Sequence, residues 1–397
     1  MDFYLSRLSM NRVDEKAKKD CCGCMECAFT CPTHAITMKR DELGFHFPEV
    51  DEDLCIHCKK CLRKCQFPVC NVIDTKELDF PKIFAGRLKV KEELLNSQSG
   101  GAFYAIAKEI LKLGGVVYGA AYSNTFSVIH LRVADLSSLN SIRGSKYVQS
   151  SLSGIYESIR KDLNVGRTVL FSGTSCQVAG IKAEFGRKYS NQLVTIDVLC
   201  YGVCSPNLWQ DYLKYLEKRY SKSLTSVNMR NKHDGWKGAS EAYTFANKKC
   251  VKSNSFLYLY FQNLPLRDCC YHCPYTNINR VGDLSLGDFW NWEKSGHEEF
   301  NDNKGISLII VNNQRGLDLL REARAQLDII SSNITECIQD VLVKPVPFNP
   351  NRDDFFRIYL NQGFKKAAIK YGDLGFVHKL RVNLSSFKYK LLNLLSK

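Results

Sequence analysis

The chain has 397 residues, of which 45% are hydrophobic and 24% are charged, and its formal net charge is +14. This composition is typical of a globular protein with a buried core, and no run of about 18 apolar residues predicts a membrane span. The chain contains 18 cysteines, and no signal-peptide pattern is recognisable at Met1. They therefore favour metal ligation in a reducing compartment over disulfides and predict a cytoplasmic location.

The positive charge is unevenly distributed along the chain. Residues 1–79 hold twelve Lys and Arg against fourteen Asp and Glu, a net charge of −2, whereas residues 351–397 hold ten against three, a net charge of +7. A basic chain attracts anionic partners. No nucleic-acid-binding motif is recognisable, so we expect no nucleic-acid partner. An acidic electron-carrier protein, an anionic substrate and a membrane surface remain open as partners.

Two runs of cysteines near the N-terminus repeat one spacing. The first run is Cys21, Cys24, Cys27 and Cys31, and the second is Cys55, Cys58, Cys61 and Cys65. This spacing is that of bacterial two-cluster ferredoxins, in which the fourth cysteine of each run ligates the other cluster. It predicts one 4Fe-4S cluster on Cys21, Cys24, Cys27 and Cys65, and a second on Cys55, Cys58, Cys61 and Cys31. A zinc ribbon is disfavoured because the third cysteine of each run is surplus to a tetrahedral ion.

After this predicted ferredoxin-type domain, residues 1–79, strands alternate with helices. Strands are predicted over 82–86, 116–122, 127–134, 167–171, 193–199, 281–286 and 306–311, and helices over 102–113, 155–163, 176–185, 207–219 and 317–327. The alternation predicts an α/β (α+β) core. We divide it into 80–160, a flavin-binding domain in the interpretation below, 161–345, which holds further cysteines, and 346–397, a basic helical tail. The tail has apolar positions at Leu380, Val382, Phe387, Leu391 and Leu395.

Six short segments occur in a fixed order in this core: Ser99-Gly100-Gly101, Gly144-Ser145-Lys146-Tyr147, 171–177, 199–202, 266–273 and 282–290. Each segment alone is a weak signal. In this order and spacing they resemble the coenzyme F420 hydrogenase/dehydrogenase beta-subunit family, in versions with an N-terminal ferredoxin domain. The resemblance covers essentially the whole chain. Members of that family are iron–sulfur flavoproteins that pass electrons between clusters, FAD and a hydride-exchanging substrate.

The resemblance implies that glycine-rich turns bind FAD. The residues it assigns to this site are Ser99, Gly100, Gly101, Gly144, Ser145, Lys146, Tyr147, Gly173 and Thr174. Turns that enter helices can present backbone N–H groups to an anion such as the FAD pyrophosphate. Lys146 would add charge there, and Tyr147 would pack on the isoalloxazine. Without the resemblance, Gly100-Gly101 would be interpreted as a helix break and Lys146 as a solvated side chain.

The resemblance also implies a third 4Fe-4S cluster, beside the flavin and connected to the ferredoxin clusters. Its ligands would be Cys176, Cys200, Cys270 and Cys273, with Cys204 and Cys269 as possible substitutes. The alternative is that these are small buried hydrophobic side chains, as free cysteines often are. Cys22 does not fit the ferredoxin spacing and Cys70 lies beyond it, so both are interpreted as structural or incidental, as are Cys250 and Cys337.

Three positions depart from the family pattern, which usually has Pro at Ser175, His at Tyr201 and Gly at Asn291. The first is interpreted as a turn adjustment. The other two are predicted to lie near the active site, which allows a substrate different from the family's namesake. Lys146 and Asp288 are candidate catalytic residues for proton or anion handling, although Asp288 equally fits a capping carboxylate at a strand end. No G-x-G-x-x-G follows a strand, so no separate nicotinamide site is predicted.

These features predict an FAD- and 4Fe-4S-dependent oxidoreductase. It would exchange electrons with a redox protein or redox-complex subunit and reduce or oxidise a small molecule, either an F420-like deazaflavin or another compound. One alternative is an electron-transfer subunit without a substrate of its own, although a relay needs no α/β domain of this size. Another is a thiol hydrolase or transferase using Cys176 at a helix N-terminus, for which no partner histidine is identifiable. The tail is expected to pack on its own domain or a partner more than on a membrane.

Overall fold

The computed structural model of the chain describes residues 10–67, 80–238 and 240–375. The strands are β1 Ile36–Arg40, β2 His46–Val50, β3 Lys82–Leu88, β4 Val116–Tyr122, β5 Val128–Val133, β6 Val169–Thr174, β7 Leu193–Val198, β8 Leu224–Asn231, β9 Ser240–Phe245, β10 Cys250–Ser253, β11 Leu284–Asp288, β12 Ser307–Val311 and β13 Leu327–Ser332. The α-helices are α1 Glu26–Thr30, α2 Lys60–Lys64, α3 Lys91–Asn96, α4 Ala102–Lys112, α5 Ile155–Asn164, α6 Ser175–Ile181, α7 Pro206–Tyr220, α8 Ser255–Phe261, α9 Gln314–Ala323, α10 Ile334–Cys337 and α11 Arg352–Lys370.

The N-terminal module, residues 10–67, consists of the β1–β2 hairpin and two short helices. Each helix begins inside a cysteine run, and the residue before it adopts the left-handed conformation, Met25 with φ 67° before α1 and Lys59 with φ 55° before α2. This sharp turn brings the third cysteine of each run, Cys27 or Cys61, back toward the first two. The two runs therefore fold alike, as their common spacing predicts.

The main domain is built on an eight-stranded sheet with the order β13-β3-β12-β11-β7-β6-β4-β5. Its central strands β4, β6, β7 and β11 are parallel, and antiparallel strands extend the sheet on both sides. Helices α4 and α9 pack on one face, where Ile106 and Leu319 are buried, and α5 and α6 pack on the other, around Ile159 and Val178. Both faces of the parallel strands are therefore covered, which explains their continuous runs of apolar residues.

A smaller antiparallel sheet, β10-β9-β8, packs with α7, α8 and α11 around a second core. This core is mainly aromatic, and Trp209, Tyr212, Tyr243 and Phe256 are fully buried in it. The indole N–H of Trp209 donates to the carbonyl oxygen of Phe126 at 2.8 Å, which connects α7 to the loop after β4. The second core thus closes one end of the main sheet.

The predicted α/β fold with an N-terminal ferredoxin-type module is confirmed. The predicted strand 116–122 has the observed bounds, but other bounds differ. The strand predicted over 167–171 is observed over Val169–Thr174, and the helix predicted to begin at Cys176 begins at Ser175. The helix predicted to end at Leu327 ends at Ala323, and Leu327 begins β13. Strands on both sides of the predicted 160/161 boundary belong to one sheet.

The first part of the basic tail forms α11, which packs against α7 through Phe364 and Tyr212, whose ring centroids are 5.0 Å apart. The predicted apolar positions from Leu380 to Leu395, and also Cys70, lie outside the described residues. Within the three described ranges, no helix is both long and apolar enough to cross a membrane.

The loop before α4 lies directly on the sheet at Gly100. A Cβ atom there would come within 2.0 Å of the Gly86 carbonyl oxygen and 2.6 Å of the Ser307 backbone nitrogen. Both obstacles are backbone atoms of β3 and β12, which cannot move without shifting the sheet. Gly100 is therefore required for this close approach.

We expect Gly100→Ala to lower the free energy of unfolding by about 1–3 kcal/mol, as overpacking of a tight contact does. The control is Gly186→Ala, whose Cβ would meet only the Lys182 side chain at 3.5 Å, an ordinary contact. Chemical denaturation of both variants measures the difference. Equal stability of the two variants would contradict the close-approach argument.

Glu241 carries a carboxyl group that is fully buried in the aromatic core. Its oxygens accept hydrogen bonds from the Tyr212 and Tyr243 hydroxyls, both at 2.9 Å, and from the Leu257 backbone N–H. Burial raises the pKa of Glu241 to about 7. In the unfolded chain a glutamate titrates near pH 4.3, so folding favours the protonated form over the interval between these values.

We therefore expect the stability of the protein to fall as the pH rises from about 4.3 to about 7 through ionisation of Glu241, by about 3 kcal/mol in total. Glu241→Gln stays neutral and keeps an acceptor oxygen for the tyrosines, so it should lose less stability over this interval. Thermal melts at pH 5 and pH 8 test this, with the exposed Glu157→Gln as control. If wild type and Glu241→Gln lost the same stability between pH 5 and pH 8, ionisation of Glu241 would not destabilise the fold, which would contradict this prediction.

Candidate functional site

Each predicted ferredoxin ligand set lines one cavity of the N-terminal module. The inner cysteine cavity is lined by Cys21, Cys24, Cys27 and Cys65, and the outer cysteine cavity by Cys31, Cys55, Cys58 and Cys61. The fourth cysteine of each run therefore lies with the first three of the other run, as the ferredoxin spacing predicts. The outer cavity lies near the surface, where Cys58 and the neighbouring Ile56 are exposed.

The residues of the inner cavity fit a bound cluster. The Lys16 ammonium lies 3.1 Å from the Cys65 sulfur, where it can offset thiolate charge. Both carboxyl oxygens of Glu26, on the wall of the same cavity, are buried without a hydrogen-bond partner among the described residues. No group of three or more His, Cys, Asp and Glu side chains in those residues is spaced to hold a single metal ion. The spacing and the crossed arrangement of the cysteines are those of two 4Fe-4S clusters.

A third cysteine cavity lies between the module and the main domain. Cys176, Cys200, Cys270 and Cys273, the four predicted ligands, all line it. They come from three segments: Cys176 from the first turn of α6, Cys200 from the end of β7, and the last two from the 3-10 turn Asp268–His272 and the residue after it. Of the two substitutes, Cys269 also lines the cavity, whereas Cys204 is fully buried in the aromatic core.

Burial raises the pKa of several of these thiols, that of Cys200 to about 12 and that of Cys273 as well, whereas the adjacent Cys269 thiol lowers the pKa of Cys270. Protonated thiols lose their protons when a metal binds. The neighbouring Cys22 thiol and burial raise the pKa of Cys176, which disfavours a thiolate nucleophile at that position.

Cys22, interpreted from the sequence as structural or incidental, lies between two of these sites. It lines both the inner and the third cysteine cavity, and interactions with the thiols of Cys176 and Cys24 hold the pKa of Cys22 well below its usual range. The sequence signal was its adjacency to Cys21, which the spacing rule does not use. Cys22 thus connects the ligand sets predicted for two different clusters.

The main cavity of the protein lies at the carboxyl ends of the parallel strands β6, β7 and β11 and has a volume of about 350 Å³. Crevices at this edge are the usual ligand sites of open α/β sheets. Eight of the nine predicted flavin residues line it, namely Ser99, Gly101, Gly144, Ser145, Lys146, Tyr147, Gly173 and Thr174. Gly100 is not on the wall and packs behind it against β3 and β12.

The backbone N–H groups of the first predicted flavin turn are already used. Those of Gly100 and Ala102 donate to the Ser307 hydroxyl at 3.0 and 3.2 Å, and that of Gly101 donates to the Gln98 carbonyl oxygen at 3.0 Å. The expectation that these three groups are free to bind a pyrophosphate is wrong. An anion at this turn needs donors from side chains instead.

Several buried polar atoms on the wall of the main cavity have no hydrogen-bond partner among the described residues. Within the described residues, Gln98 Nε2, His130 Nδ1 and Arg143 Nε are buried without a hydrogen-bond partner. His130 is neutral at physiological pH, because burial lowers its pKa to about 4. Its Nε2 lies 3.0 Å from the Ser172 carbonyl oxygen and must donate to it, which leaves Nδ1 as an acceptor. Two donors and one acceptor without partners fit a polar, aromatic cofactor such as FAD.

Lys146 lies on the same wall, and its pKa is lower than that of an exposed lysine. Its ammonium donates to the carbonyl oxygens of Arg143, at 2.6 Å, and Gly144, at 3.2 Å, and has no carboxylate partner among the described residues. Burial lowers the pKa of Lys146 to about 7. The site therefore holds a cation whose charge a bound anion would stabilise.

Both carboxylate oxygens of Asp288, the other candidate catalytic residue, already accept hydrogen bonds. One oxygen accepts from the Ser99 hydroxyl at 2.6 Å and the Trp236 indole at 2.7 Å, and the other pairs with Arg230 at 2.6 Å. Arg230 in turn lies 5.0 Å from the Trp290 ring centroid. With donors on both oxygens, Asp288 anchors the cavity wall, which favours the capping interpretation over proton transfer.

The three departures from the family pattern have local explanations. Ser175 is the first residue of α6, a position that favours proline, and its hydroxyl bonds to Asp197 at 2.8 Å. Asn291 has φ 63°, a left-handed conformation in which asparagine is the best substitute for glycine. Tyr201 lines the main cavity and donates to Asn263 at 2.6 Å.

The inner cysteine cavity, the third cysteine cavity and the main cavity share lining residues. Cys22 belongs to both the inner and the third cysteine cavity, and Thr174, Gln177, Cys200 and Tyr201 belong to both the third cysteine cavity and the main cavity. One line of shared walls therefore leads from the N-terminal module to the carboxyl edge of the sheet.

Comparison with known proteins identifies two regions of the chain. A chain of the F420-reducing NiFe hydrogenase complex from Methanosarcina barkeri, solved as a xenon derivative, is 16% identical with a TM-score of 0.45, over 73% of this chain and 90% of that chain. No curated protein matches. Residues 166–336 match the family model for coenzyme F420 hydrogenase/dehydrogenase, C terminus of the beta subunit, and residues 20–69 match that for a 4Fe-4S dicluster domain. Residues 166–336 are therefore similar to the C-terminal part of the coenzyme F420 hydrogenase/dehydrogenase beta subunit, and a 4Fe-4S dicluster domain precedes this region.

Proposed function

We propose that this protein is an iron–sulfur flavoprotein oxidoreductase that carries electrons between an external redox partner and a small molecule bound over FAD. The observation that carries this proposal is the shared wall that connects the inner cysteine cavity, the third cysteine cavity and the main cavity, with the outer cysteine cavity in the same N-terminal module. A pure electron-transfer subunit would need the cysteine cavities but not the main one. The outer cavity, with exposed Cys58, is the end at which a partner protein would exchange electrons.

Bound FAD would supply the exchange between one-electron and two-electron chemistry, and the protein supplies position and charge. Near the third cysteine cavity the wall is formed by Thr174 and Gln177, held together because the Thr174 hydroxyl donates to Gln177 Oε1 at 3.1 Å. We assign this end to the isoalloxazine, since electron exchange requires proximity to the cluster. His130 Nδ1 accepts a hydrogen bond from the cofactor in this arrangement.

Another part of the cavity wall holds two cationic side chains, Arg143 and Lys146. Arg143 is fixed by hydrogen bonds from its guanidinium to the Glu93 carbonyl oxygen and the Ser97 hydroxyl, both at 2.7 Å, and its Nε is left for a ligand. Lys146 lies three residues away and has no carboxylate partner within the described chain. We assign the pyrophosphate to these two side chains.

Aromatic side chains form the remaining wall, on which we propose that the substrate binds. Tyr147 and Tyr201 both pack against Tyr260, with ring centroids 4.8 and 5.5 Å apart. Phe261 is 55% exposed beside them. This surface excludes water from the hydride-exchanging face and suits a planar or apolar substrate, either a deazaflavin or another reducible compound.

The composition of the protein purified without oxygen tests the proposal. We expect about twelve irons and one FAD per chain, from three 4Fe-4S clusters and the flavin. Cys273→Ser should lose about four irons, whereas Cys204→Ala, a buried control away from the cavity, should lose none. Eight irons with FAD would remove the third cluster but keep the enzyme. Eight irons without FAD, even after FAD is supplied, would contradict the oxidoreductase and leave an electron-transfer subunit.

The pKa of Lys146 gives the flavin site a characteristic pH dependence. A bound pyrophosphate stabilises the charged ammonium, so binding takes up a proton above pH 7, and the affinity for FAD should fall by up to about tenfold per pH unit there. Lys146→Met should bind FAD more weakly at pH 6 and show little further loss at higher pH. Fluorescence titration of the apoflavoprotein with FAD measures this, with the peripheral Lys112→Met as control. A pH-independent wild-type affinity would exclude Lys146 from the pyrophosphate site.

A further inference from the structure

Arg267 lies at the interface between the N-terminal module and the main domain, and it is fully buried. Its guanidinium donates to the carbonyl oxygens of Cys21 and His46, at 2.9 and 2.8 Å, and to Gln149 Oε1 at 3.0 Å. It also lies 4.1 Å from the Phe47 ring centroid. All of these partners are electrically neutral.

No carboxylate within the described residues pairs with Arg267. The adjacent Asp268 pairs instead with Arg352 at 2.7 Å. An isolated charge is removed from water only at a large cost in free energy, so a buried guanidinium normally has a nearby negative charge. The neutral acceptors satisfy its hydrogen bonds but leave its charge uncompensated.

The predicted clusters would supply negative charge beside Arg267. The Arg267 side chain bonds to the backbone of Cys21, which lines the inner cysteine cavity. In sequence it immediately precedes the segment that contributes Cys269, Cys270 and Cys273 to the third cysteine cavity. A 4Fe-4S cluster with four thiolates carries a net charge of about −2 when oxidised, and it becomes one unit more negative with each electron gained.

We propose that Arg267 is the shared counter-charge of the inner and third iron–sulfur clusters and sets their reduction potentials. For the third cluster the inference rests on the proposed function; for the inner one it rests on the dicluster domain alone. A fixed positive charge between two clusters stabilises the reduced form of each, so it raises both potentials. Arg267 therefore acts as a positioning and tuning residue for electron transfer across the module interface.

Two substitutions separate charge from structure. Arg267→Gln removes the charge and keeps a donor amide, whereas Arg267→Lys keeps the charge and loses the fork of hydrogen bonds. We expect Arg267→Gln to lower the midpoint potentials of the inner and third clusters by at least 59 mV, a tenfold change in the ratio of reduced to oxidised cluster for one electron. The midpoint potentials of Arg267→Lys should remain near those of wild type. If the role of Arg267 were purely structural, the potentials of both variants would change.

The measurement is an EPR-monitored dithionite titration of the anaerobically purified holoprotein, with iron content determined on each sample. The outer cluster serves as internal reference, because Arg267 contacts none of the residues that line its cavity. Arg219→Gln is the control, since it removes an exposed guanidinium whose partners, Tyr215 and Tyr220, are neutral and line none of the cysteine cavities. Its cluster potentials should match those of wild type.

If Arg267→Gln does not fold, Gln149→Glu gives the same test. It adds a negative charge at the atom that Arg267 already contacts and should lower both potentials, whereas the neutral Gln149→Leu, which loses the same hydrogen bonds, should not. Unchanged potentials in the charge-altering variants would overturn the proposal. A shift of the inner cluster alone, in a protein with eight irons, would overturn the shared role and the third cluster together. The presence or absence of FAD does not alter either outcome.

Discussion

The arrangement of the cofactor sites depends on the hydrogen bonds that the buried carboxylate of Asp197 accepts. It lies in β7 with no exposure to solvent, where it pairs with Arg280 and accepts hydrogen bonds from the hydroxyls of Ser175, at 2.8 Å, and Ser285, at 2.5 Å. The Gly282 backbone N–H donates to it at 3.1 Å. A buried ion pair is favourable only when its remaining hydrogen-bonding capacity is satisfied, and here each oxygen has two donors.

These four donors tie together the segments that bear the predicted ligands of the third cluster. Ser175 precedes Cys176, Asp197 precedes Cys200 by three residues, and Arg280 also donates to the carbonyl oxygen of Tyr275, two residues after Cys273. The same carboxyl edge of the sheet carries Asp288, which holds the Ser99 loop over the main cavity. The buried carboxylate of Asp197 and the partly buried carboxylate of Asp288 therefore fix the cysteine cavity and the cofactor cavity at one sheet edge, and this is why the two share a wall.

The sequence predicted most reliably those features that depend on short-range spacing. The crossed ligand sets of Cys31 and Cys65 follow from a local repeat, and the strands of the parallel core follow from continuous apolar runs. Features that depend on long-range packing were missed. Cys22 lies outside every spacing rule and gains its position only when the module docks, and the His130 imidazole reaches the cavity because it stacks on Phe171, with ring centroids 5.2 Å apart. Likewise, no pattern revealed that Ser307 occupies the N–H groups of the Gly100 turn.

Charged and neutral contacts together hold the N-terminal module on the main domain. Besides the hydrogen bonds of Arg267, Lys64 pairs with Glu184 at 3.1 Å, Gln149 donates to the Cys22 carbonyl oxygen at 3.0 Å, and Tyr275 donates to the Gln66 carbonyl oxygen at 2.8 Å. Burial raises the pKa of Cys27, whereas the thiols of Cys176 and Cys24 hold the pKa of Cys22 well below its usual range. A bound cluster would replace thiol protons with a net negative charge. In our proposal this charge balances that of Arg267, so cluster binding and the contact between the module and the main domain would stabilise each other.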